Sequence, residues 1–285
     1  MPVQARAIPL LLAEQDAMIQ ARTGSGKTGA FLLPMLARLD PQQANCQALI
    51  LAPTRELARQ VWRDAETLCT PAGLRAVAVY GGVGYGPQIE ALKQGAQIVV
   101  GAPGRVLDHL LKRTFSLEHL RLLIFDEADR MLSLGFYEDM LAVKRYLPDH
   151  PVNTCMFSAT FPAYVLRTAH QFMAEPEFIS LSRDHVHVTE TEHLVYQVPD
   201  HRRERALVRL LEVENPASAI IFCNTKAHVH FVSVVLQRFG YDADELSADL
   251  PQNERERVLE RVRQGNLRFL VATDVAGRGI DIPEL

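Results

Sequence analysis

Residues 21–28 carry the clearest chemistry in the sequence. They read Ala-Arg-Thr-Gly-Ser-Gly-Lys-Thr, which fits the pattern G-x-x-x-x-G-K-[ST] except that alanine replaces the first glycine. Gly24 and Gly26 allow a tight turn whose N–H groups point at phosphate oxygens. Lys27 is expected to reach the β- and γ-phosphates of a nucleotide, and the Thr28 hydroxyl to hold Mg²⁺. The alternative is a glycine-rich turn before an ordinary helix, but the Lys-Thr pair at the required offset favours phosphate binding.

A second cluster, Asp-Glu-Ala-Asp at 126–129, directly follows the apolar run 122–125. Carboxylates at the end of a strand, downstream of a phosphate loop, suit a metal–nucleotide site. Asp126 is expected to coordinate Mg²⁺ through water, and Glu127 to orient and activate the attacking water. Alone, the cluster could be a solvated acidic turn that caps the next helix. The phosphate loop upstream favours the metal–nucleotide site.

Short apolar runs recur along the chain and alternate with helical patterns such as 54–69 and 253–264. Runs of about four to six residues with Val, Ile and Leu on both faces are typical of buried parallel strands. Alternating strands and helices predict an α/β fold with a doubly wound sheet, in which ligands bind beyond the carboxyl ends of the strands. The runs are 48–51, 98–100, 122–125, 219–222 and 269–271.

The length of 285 residues favours two domains. The polar stretch 183–192 lacks helical periodicity, and the strand–helix pattern restarts near Leu194. We therefore predict a first domain at 1–183, a linker at 184–193 and a second domain at 194–285.

Composition narrows the class of protein. Apolar residues make up 48% of the chain and charged residues 22%, which is ordinary for a globular protein, and the formal net charge is −4. Without a basic footprint, any nucleic-acid site must be a local groove. The sequence shows neither a membrane-spanning apolar run nor a secretory signal. Scattered cysteines predict reduced thiols and a cytoplasmic protein. They are Cys46, Cys69, Cys155 and Cys223.

At these motifs the chain resembles the DEAD-box RNA helicases of superfamily 2, and the bacterial members in particular. The acidic cluster is the literal D-E-A-D, and further motifs follow in the family's order. In the first half they are the Q motif with Gln4 (2–9), motif Ia (53–58), the GG motif (81–82), motif Ib (102–105) and motif III (158–160). In the second half they are motif IV (221–225), Q-x-x-R (252–255) and motif V (272–281).

The resemblance implies two RecA-like domains with parallel sheets flanked by helices, the second incomplete, that bind ATP with Mg²⁺ and an RNA strand. ATP would be held by Gln4, Thr23, Gly24, Ser25, Gly26, Lys27, Thr28 and Asp281. Ser158 and Thr160 would couple the ATP site to the RNA site. RNA would be gripped by Thr54, Arg55, Gly82, Gly104 and Arg105 in the first domain and by Asn224, Thr225, Arg255, Thr273 and Asp274 in the second. Few of these residues are cationic, which suits contacts to sugar and phosphate that carry no sequence code.

For the weaker motifs a structural role is the alternative. Arg55 and Arg105 could be ordinary surface charges, Ser158 and Thr160 could be caps, and 252–255 an exposed helix face. The ordered set of motifs favours function. One departure from the family is Ala102, which replaces the usual threonine of motif Ib and removes a hydroxyl contact to RNA.

The ends of the sequence raise a further expectation. The family's aromatic residue upstream of Gln4 and the arginine finger of motif VI are not in these residues. Because an arginine finger contributes roughly 10³–10⁵ in turnover, we expect this polypeptide to hydrolyse ATP poorly or not at all. We also expect an unfinished sheet edge and lower stability in the second domain. One alternative is a clamp that binds RNA or nucleotide without turnover. Another is a DNA-translocating relative from the same superfamily, and the Q motif and the D-E-A-D sequence argue against that one.

Overall fold

The computed structural model describes residues 1–181, 192, 194–247 and 249–273. The chain divides into two compact units, Met1–Thr189 and Glu190–Leu285. In both units parallel strands alternate with helices, so the predicted α/β class is confirmed. The finer boundaries at 183 and 194 stay a prediction.

The described part of the first unit contains one sheet of seven parallel strands in the order β3-β4-β2-β5-β6-β1-β7. The strands are β1 Ala17–Gln20, β2 Ala48–Leu51, β3 Ala76–Val79, β4 Ile98–Gly101, β5 Leu122–Asp126, β6 Asn153–Ser158 and β7 Glu177–Ser180. The helices are α1 Pro2–Leu12, α2 Lys27–Arg38, α3 Arg55–Cys69, α4 Tyr85–Lys93, α5 Pro103–Leu111, α6 Ala128–Ser133, α7 Tyr137–Lys144 and α8 Ala163–Phe172.

The sheet of the first unit is buried on both faces. Alternate residues of β2 show why, since side chains of a strand point to opposite faces in turn. Ala48 and Ile50 join the core beneath α1, α2 and α3, whereas Leu49 and Leu51 join the core beneath α5, α7 and α8. This two-sided burial explains why the strands read as continuous apolar runs.

The second unit has a smaller described sheet, of three parallel strands in the order β8-β10-β9. Its elements are α9 Arg203–Glu214, β8 Ala219–Cys223, α10 Lys226–Arg238, β9 Ala243–Leu246, α11 Gln252–Arg263 and β10 Phe269–Thr273. The run 219–222 is a strand as predicted, but it is only partly buried: within the described ranges β8 pairs only with β10, and Phe222 is 57% exposed. The lower stability expected for this unit stays a prediction.

No helix among the described residues is both long and apolar enough to cross a membrane.

Candidate functional site

Apart from Gln4, which lies on α1, the predicted site residues of the first unit lie at or just after the carboxyl ends of six strands. Parallel strands end at the same edge, so the strand order decides which residues meet. The phosphate loop follows β1, the acidic cluster follows β5 and motif III follows β6, and these three strands are neighbours. The predicted RNA-binding residues follow β2, β3 and β4, which form the adjoining half of the sheet. We call these two parts of the edge the nucleotide half and the RNA half, after the ligands predicted for their residues.

The phosphate loop connects β1 to α2 through a backbone that needs glycine. Gly24 has φ +73° and Gly26 has φ +89°, in the left-handed region that side chains disfavour. Gly26 is the N-cap of α2, so the positive end of the helix dipole points into the loop. Lys27 is only 8% exposed, and its Nζ donates to the Ala21 carbonyl oxygen at 3.1 Å. The loop thus places a cation and a helix N-terminus where an anion would bind.

Gln4 lies beside the phosphate loop because α1 packs against α2. Its Nε2 donates to the Gly26 carbonyl oxygen at 3.3 Å, and its Oε1 accepts from the amino group of Met1 at 3.2 Å. A Cβ at position 29 would lie 2.7 Å from the Gln4 Nε2, so Gly29 permits this close approach. The structure therefore brings this predicted residue to the nucleotide half. Its contact with adenine stays a prediction.

Asp126 ends β5 in a buried position, 3% exposed. Burial raises the pKa of its carboxyl to about 6; nearby Lys27 opposes this shift and the negative charge of Glu127 adds to it. Its Oδ1 has no hydrogen-bond partner among the described residues. A buried carboxylate oxygen without a donor suits a hard divalent cation such as Mg²⁺. The residues present therefore fit the metal that the sequence implies.

Glu127 begins α6 with a left-handed backbone, φ +54°. Its carboxylate forms an ion pair with Nη1 of Arg130, three residues later, and both side chains are mostly buried. The Nε and Nη2 of Arg130 have no hydrogen-bond partner within the described ranges. Sequence reasoning missed Arg130, although the i, i+3 spacing of opposite charges on a predicted helix was a usable signal.

Asp129 joins the acidic cluster to motif III. Its Oδ2 accepts from the Thr160 hydroxyl at 2.6 Å and from the Thr160 N–H at 3.2 Å. Its own N–H donates to the Ser158 hydroxyl at 3.2 Å. Gln20, at the end of β1, donates to the Ala159 carbonyl oxygen at 3.2 Å. The sequence motifs assign no role to Asp129 or Gln20, yet their side chains connect the ends of β1, β5 and β6.

In the RNA half, Thr54 is the N-cap of α3, and its hydroxyl accepts from the Leu57 N–H at 3.2 Å. The exposed Arg55 lies against Gly82, which has φ +81°; a Cβ there would come within 2.7 Å of the Arg55 Cζ. Motif Ia and the GG motif, both predicted from resemblance, therefore meet in the structure.

The side chain of Arg105 is mostly buried, unlike that of the exposed Arg55. Its side chain is 11% exposed, and its Nη1 donates to the Val83 carbonyl oxygen at 3.2 Å. Its Cζ lies 4.1 Å from the ring centroid of Tyr85. The neighbouring Gly104 is in the first turn of α5, where a Cβ would lie 3.3 Å from Oδ2 of Asp139. The RNA contacts predicted for both residues stay predictions.

The second unit gathers its predicted RNA-binding residues at the carboxyl ends of β8, β9 and β10. Asn224 and Thr225 follow β8, and Thr273 ends β10. Arg255 donates to the Ser247 carbonyl oxygen, just after β9, at 3.3 Å. Thr225 caps α10 by accepting from a backbone N–H at 3.2 Å, as Thr54 caps α3. The other two predicted site residues of this unit, Asp274 and Asp281, lie outside the described residues.

A glycine-bent phosphate loop and an acidic strand end on one parallel sheet define a P-loop nucleotide-binding protein. Residues 1–168 match the DEAD/DEAH box helicase family, and residues 202–285 match the helicase conserved C-terminal domain. The chain belongs to the DEAD/DEAH box helicase family.

Similar proteins cover the whole chain. The ATP-dependent RNA helicase DeaD of Haemophilus influenzae is 43% identical over 285 residues, which are 100% of this chain and 46% of the relative. DeaD of Escherichia coli K12 is 44% identical over 100% of this chain and 45% of the relative. The DEAD-box ATP-dependent RNA helicase CshA of Bacillus subtilis is 39% identical over 99% of this chain and 57% of the relative. The chain thus spans about half the length of these curated relatives.

Solved structures agree with this assignment. Saccharomyces cerevisiae Dbp5 bound to RNA and ADP BeF3 is 33% identical, with a TM-score of 0.87, over 99% of this chain and 72% of the yeast chain. A DEAD box protein from the hyperthermophile Methanococcus jannaschii is 36% identical, with a TM-score of 0.60, over 98% of this chain and 75% of the archaeal chain. The predicted RecA-like architecture is confirmed.

Proposed function

We propose that this chain forms the core of an ATP-dependent RNA helicase. It binds ATP with Mg²⁺, grips an RNA strand by its backbone, and couples ATP hydrolysis to local unwinding or remodelling of RNA duplexes. The observation that carries the proposal is the shared edge of the first sheet, where the nucleotide half and the RNA half adjoin. The named relatives and the RNA-bound yeast structure support the same activity.

In the nucleotide half, the N–H groups of the phosphate loop and the ammonium of Lys27 bind the phosphates of ATP. The Thr28 hydroxyl and, through water, the Asp126 carboxylate would hold Mg²⁺. When bound, Mg²⁺ neutralises charge on the phosphate oxygens. Gln4 binds the adenine from α1, and by resemblance Asp281 is also proposed as a nucleotide-binding residue.

Hydrolysis needs a base for the attacking water, and Glu127 takes that part. Its carboxylate orients the water and receives a proton, while the ion pair with Arg130 limits where the carboxylate can move. The bonds from Asp129 to Ser158 and Thr160 carry a change at the acidic strand end to motif III. Both motifs lie in the nucleotide half, so this connection is the part of the proposed coupling that lies within that half.

RNA is held by groups that recognise its backbone. Hydroxyls, glycine N–H groups and a few arginines contact sugar and phosphate, so binding is not sequence-specific. Discrimination between RNA and DNA rests on the 2′-hydroxyl. The protein is proposed to act in the cytoplasm, since its four cysteines are free and buried, as in proteins of reducing compartments.

The test is ATP hydrolysis by this chain with single-stranded RNA, with DNA of the same sequence, and with neither. RNA but not DNA should stimulate the low rate of phosphate release expected of this chain, and Glu127→Gln should lower that rate further, by up to about 10²–10⁴-fold. Equal stimulation by DNA, or a wild-type chain that binds no RNA, would contradict the proposal. Tight binding of both ATP and RNA without phosphate release would instead support the clamp.

A further inference from the structure

The loop at 80–84, between β3 and α4, carries Gly82 and is closed by a single side-chain amide. Gln88, on α4, is 6% exposed. Its Oε1 accepts from the Tyr80 N–H at 3.2 Å, while its Nε2 donates to the Tyr80 carbonyl oxygen at 3.2 Å and to the Gly84 carbonyl oxygen at 3.3 Å. One amide therefore fastens the first and last residues of the loop, and these three bonds fix its oxygen and nitrogen positions.

A buried histidine holds Gln88 from behind. His109 Nε2 lies 3.3 Å from the Gln88 Oε1, and His109 Nδ1 lies 2.8 Å from the Thr114 hydroxyl. Because an amide oxygen only accepts, Nε2 must carry the proton. In a neutral ring Nδ1 can only accept, so the single proton of the Thr114 hydroxyl, which also lies 3.0 Å from the His109 carbonyl oxygen, is shared between these two acceptors. Burial lowers the pKa of His109, as do the nearby charges of Arg105 and Lys112, which agrees with a neutral ring.

We propose that Gln88 is a positioning residue that holds the loop at 80–84 in the shape in which Gly82 meets the RNA backbone. This inference rests on the proposed function, because it takes the loop to be an RNA contact. Arg105 bonds the Val83 carbonyl oxygen within the loop, but the side-chain bonds at Tyr80 and Gly84 come from Gln88, so without Gln88 the two ends would have to be ordered when RNA binds. A loop fixed in advance avoids that loss of affinity.

The first unit contains a matched control for Gln88. Gln97, 3% exposed, precedes β4 at the opposite, amino edge of the sheet. Its Oε1 accepts from the Arg75 N–H at 2.9 Å, and its Nε2 donates to the carbonyl oxygens of Pro41 and Gln43 at 3.2 and 2.9 Å. The two glutamines make the same kinds of bonds to backbone, but only Gln88 fastens a predicted RNA loop.

The experiment compares Gln88→Met with Gln97→Met in the full chain, because methionine keeps the length of the side chain and adds no charge. Affinity for single-stranded RNA, affinity for ATP and the thermal midpoint are measured for each. Both variants should lose thermal stability. Only Gln88→Met should weaken RNA binding, by about tenfold for the lost hydrogen bonds, with ATP affinity unchanged.

A milder variant guards against misfolding of Gln88→Met. Thr114→Val keeps the shape of the side chain but removes the donor to His109, and it should weaken RNA binding less than Gln88→Met. The inference is overturned if the wild type binds RNA and Gln88→Met or Thr114→Val binds it equally well, or if Gln97→Met loses as much RNA affinity as Gln88→Met. A wild-type chain that binds no RNA would overturn the proposed function, and this inference with it.

Discussion

The two halves of the carboxyl edge are built in different ways. The nucleotide half places buried charges close together, with Lys27 near Asp126 and the carboxyl pKa of Asp126 raised by burial. The RNA half is built from a capped helix, a glycine at positive φ and loops fastened by amide hydrogen bonds. A small, highly charged ligand needs strong fields at fixed points, whereas a polymer backbone needs many weak groups held in order.

This difference has an energetic side. Buried polar atoms without partners cost stability, and in the described nucleotide half Ser25 Oγ, Asp126 Oδ1 and two nitrogens of Arg130 are such atoms. In the RNA half, the loop at 80–84 has its backbone groups bonded to Gln88 and Arg105. We therefore expect ligand binding to stabilise the nucleotide half more than the RNA half.

The largest difference between the effects on ATP affinity and on RNA affinity should come from Lys27→Ala. Loss of a charged hydrogen-bond donor to phosphate, about 1.5–3 kcal/mol, should weaken ATP binding by about 10- to 100-fold. RNA affinity measured without nucleotide should not change, because Lys27 belongs to the nucleotide half. Titration of each variant with Mg²⁺–ATP and with labelled RNA tests both statements.

Lys93→Ala is the control for Lys27→Ala, since it removes one positive charge from an exposed helix position. It should leave both affinities as they are. A Lys27→Ala protein that lost RNA affinity without nucleotide would show that the two halves are not separable.

Gly82→Ala should have a smaller effect, and it should lower RNA affinity instead of ATP affinity. At φ +81° alanine is strained by about 1–3 kcal/mol, and its Cβ would press against the guanidinium of Arg55. The loop should leave its present shape, so RNA affinity should fall about fivefold or more while ATP affinity is kept. Fluorescence anisotropy with a labelled RNA measures the change.

Gly84→Ala is the matched control in the same loop. Gly84 has φ −60°, and nothing lies within 4 Å of a Cβ built there. Alanine at this position should therefore leave RNA binding intact. Equal losses in the two variants would mean that the loop is sensitive to any side chain and not to the backbone shape at Gly82.

The features that the sequence could predict are those encoded in consecutive residues, whereas features that depend on packing could not be predicted. The phosphate loop and the acidic cluster were predictable because their chemistry lies within a few consecutive residues. Strands β2, β4, β5, β8 and β10 were predictable because they read as apolar runs. The low burial of β8 was not, because a run of sequence does not tell what packs against it. The roles of Gln88 and Asp129 were missed for a related reason, because their partners are distant in sequence. A helical glutamine resembles a surface residue until the fold brings Tyr80 and His109 beside it, and Asp129 meets Ser158 and Thr160 only when β5 and β6 are paired.

The smallest expected effect concerns Ala102, the N-cap of α5, which makes no side-chain capping bond. Thr54 and Thr225 cap their own helices, so Ala102→Thr should add the missing bond and raise the free energy of unfolding by about 0.5–2 kcal/mol. The same hydroxyl can accept from the helix and donate to a phosphate, so RNA affinity should also rise. Ala102→Val has the shape of threonine without the hydroxyl and should do neither. If valine performed as well as threonine in thermal unfolding and RNA titration, packing and not a hydrogen bond would explain the gain, and the RNA half would rely less on hydroxyl contacts than the capped helix α3 suggests.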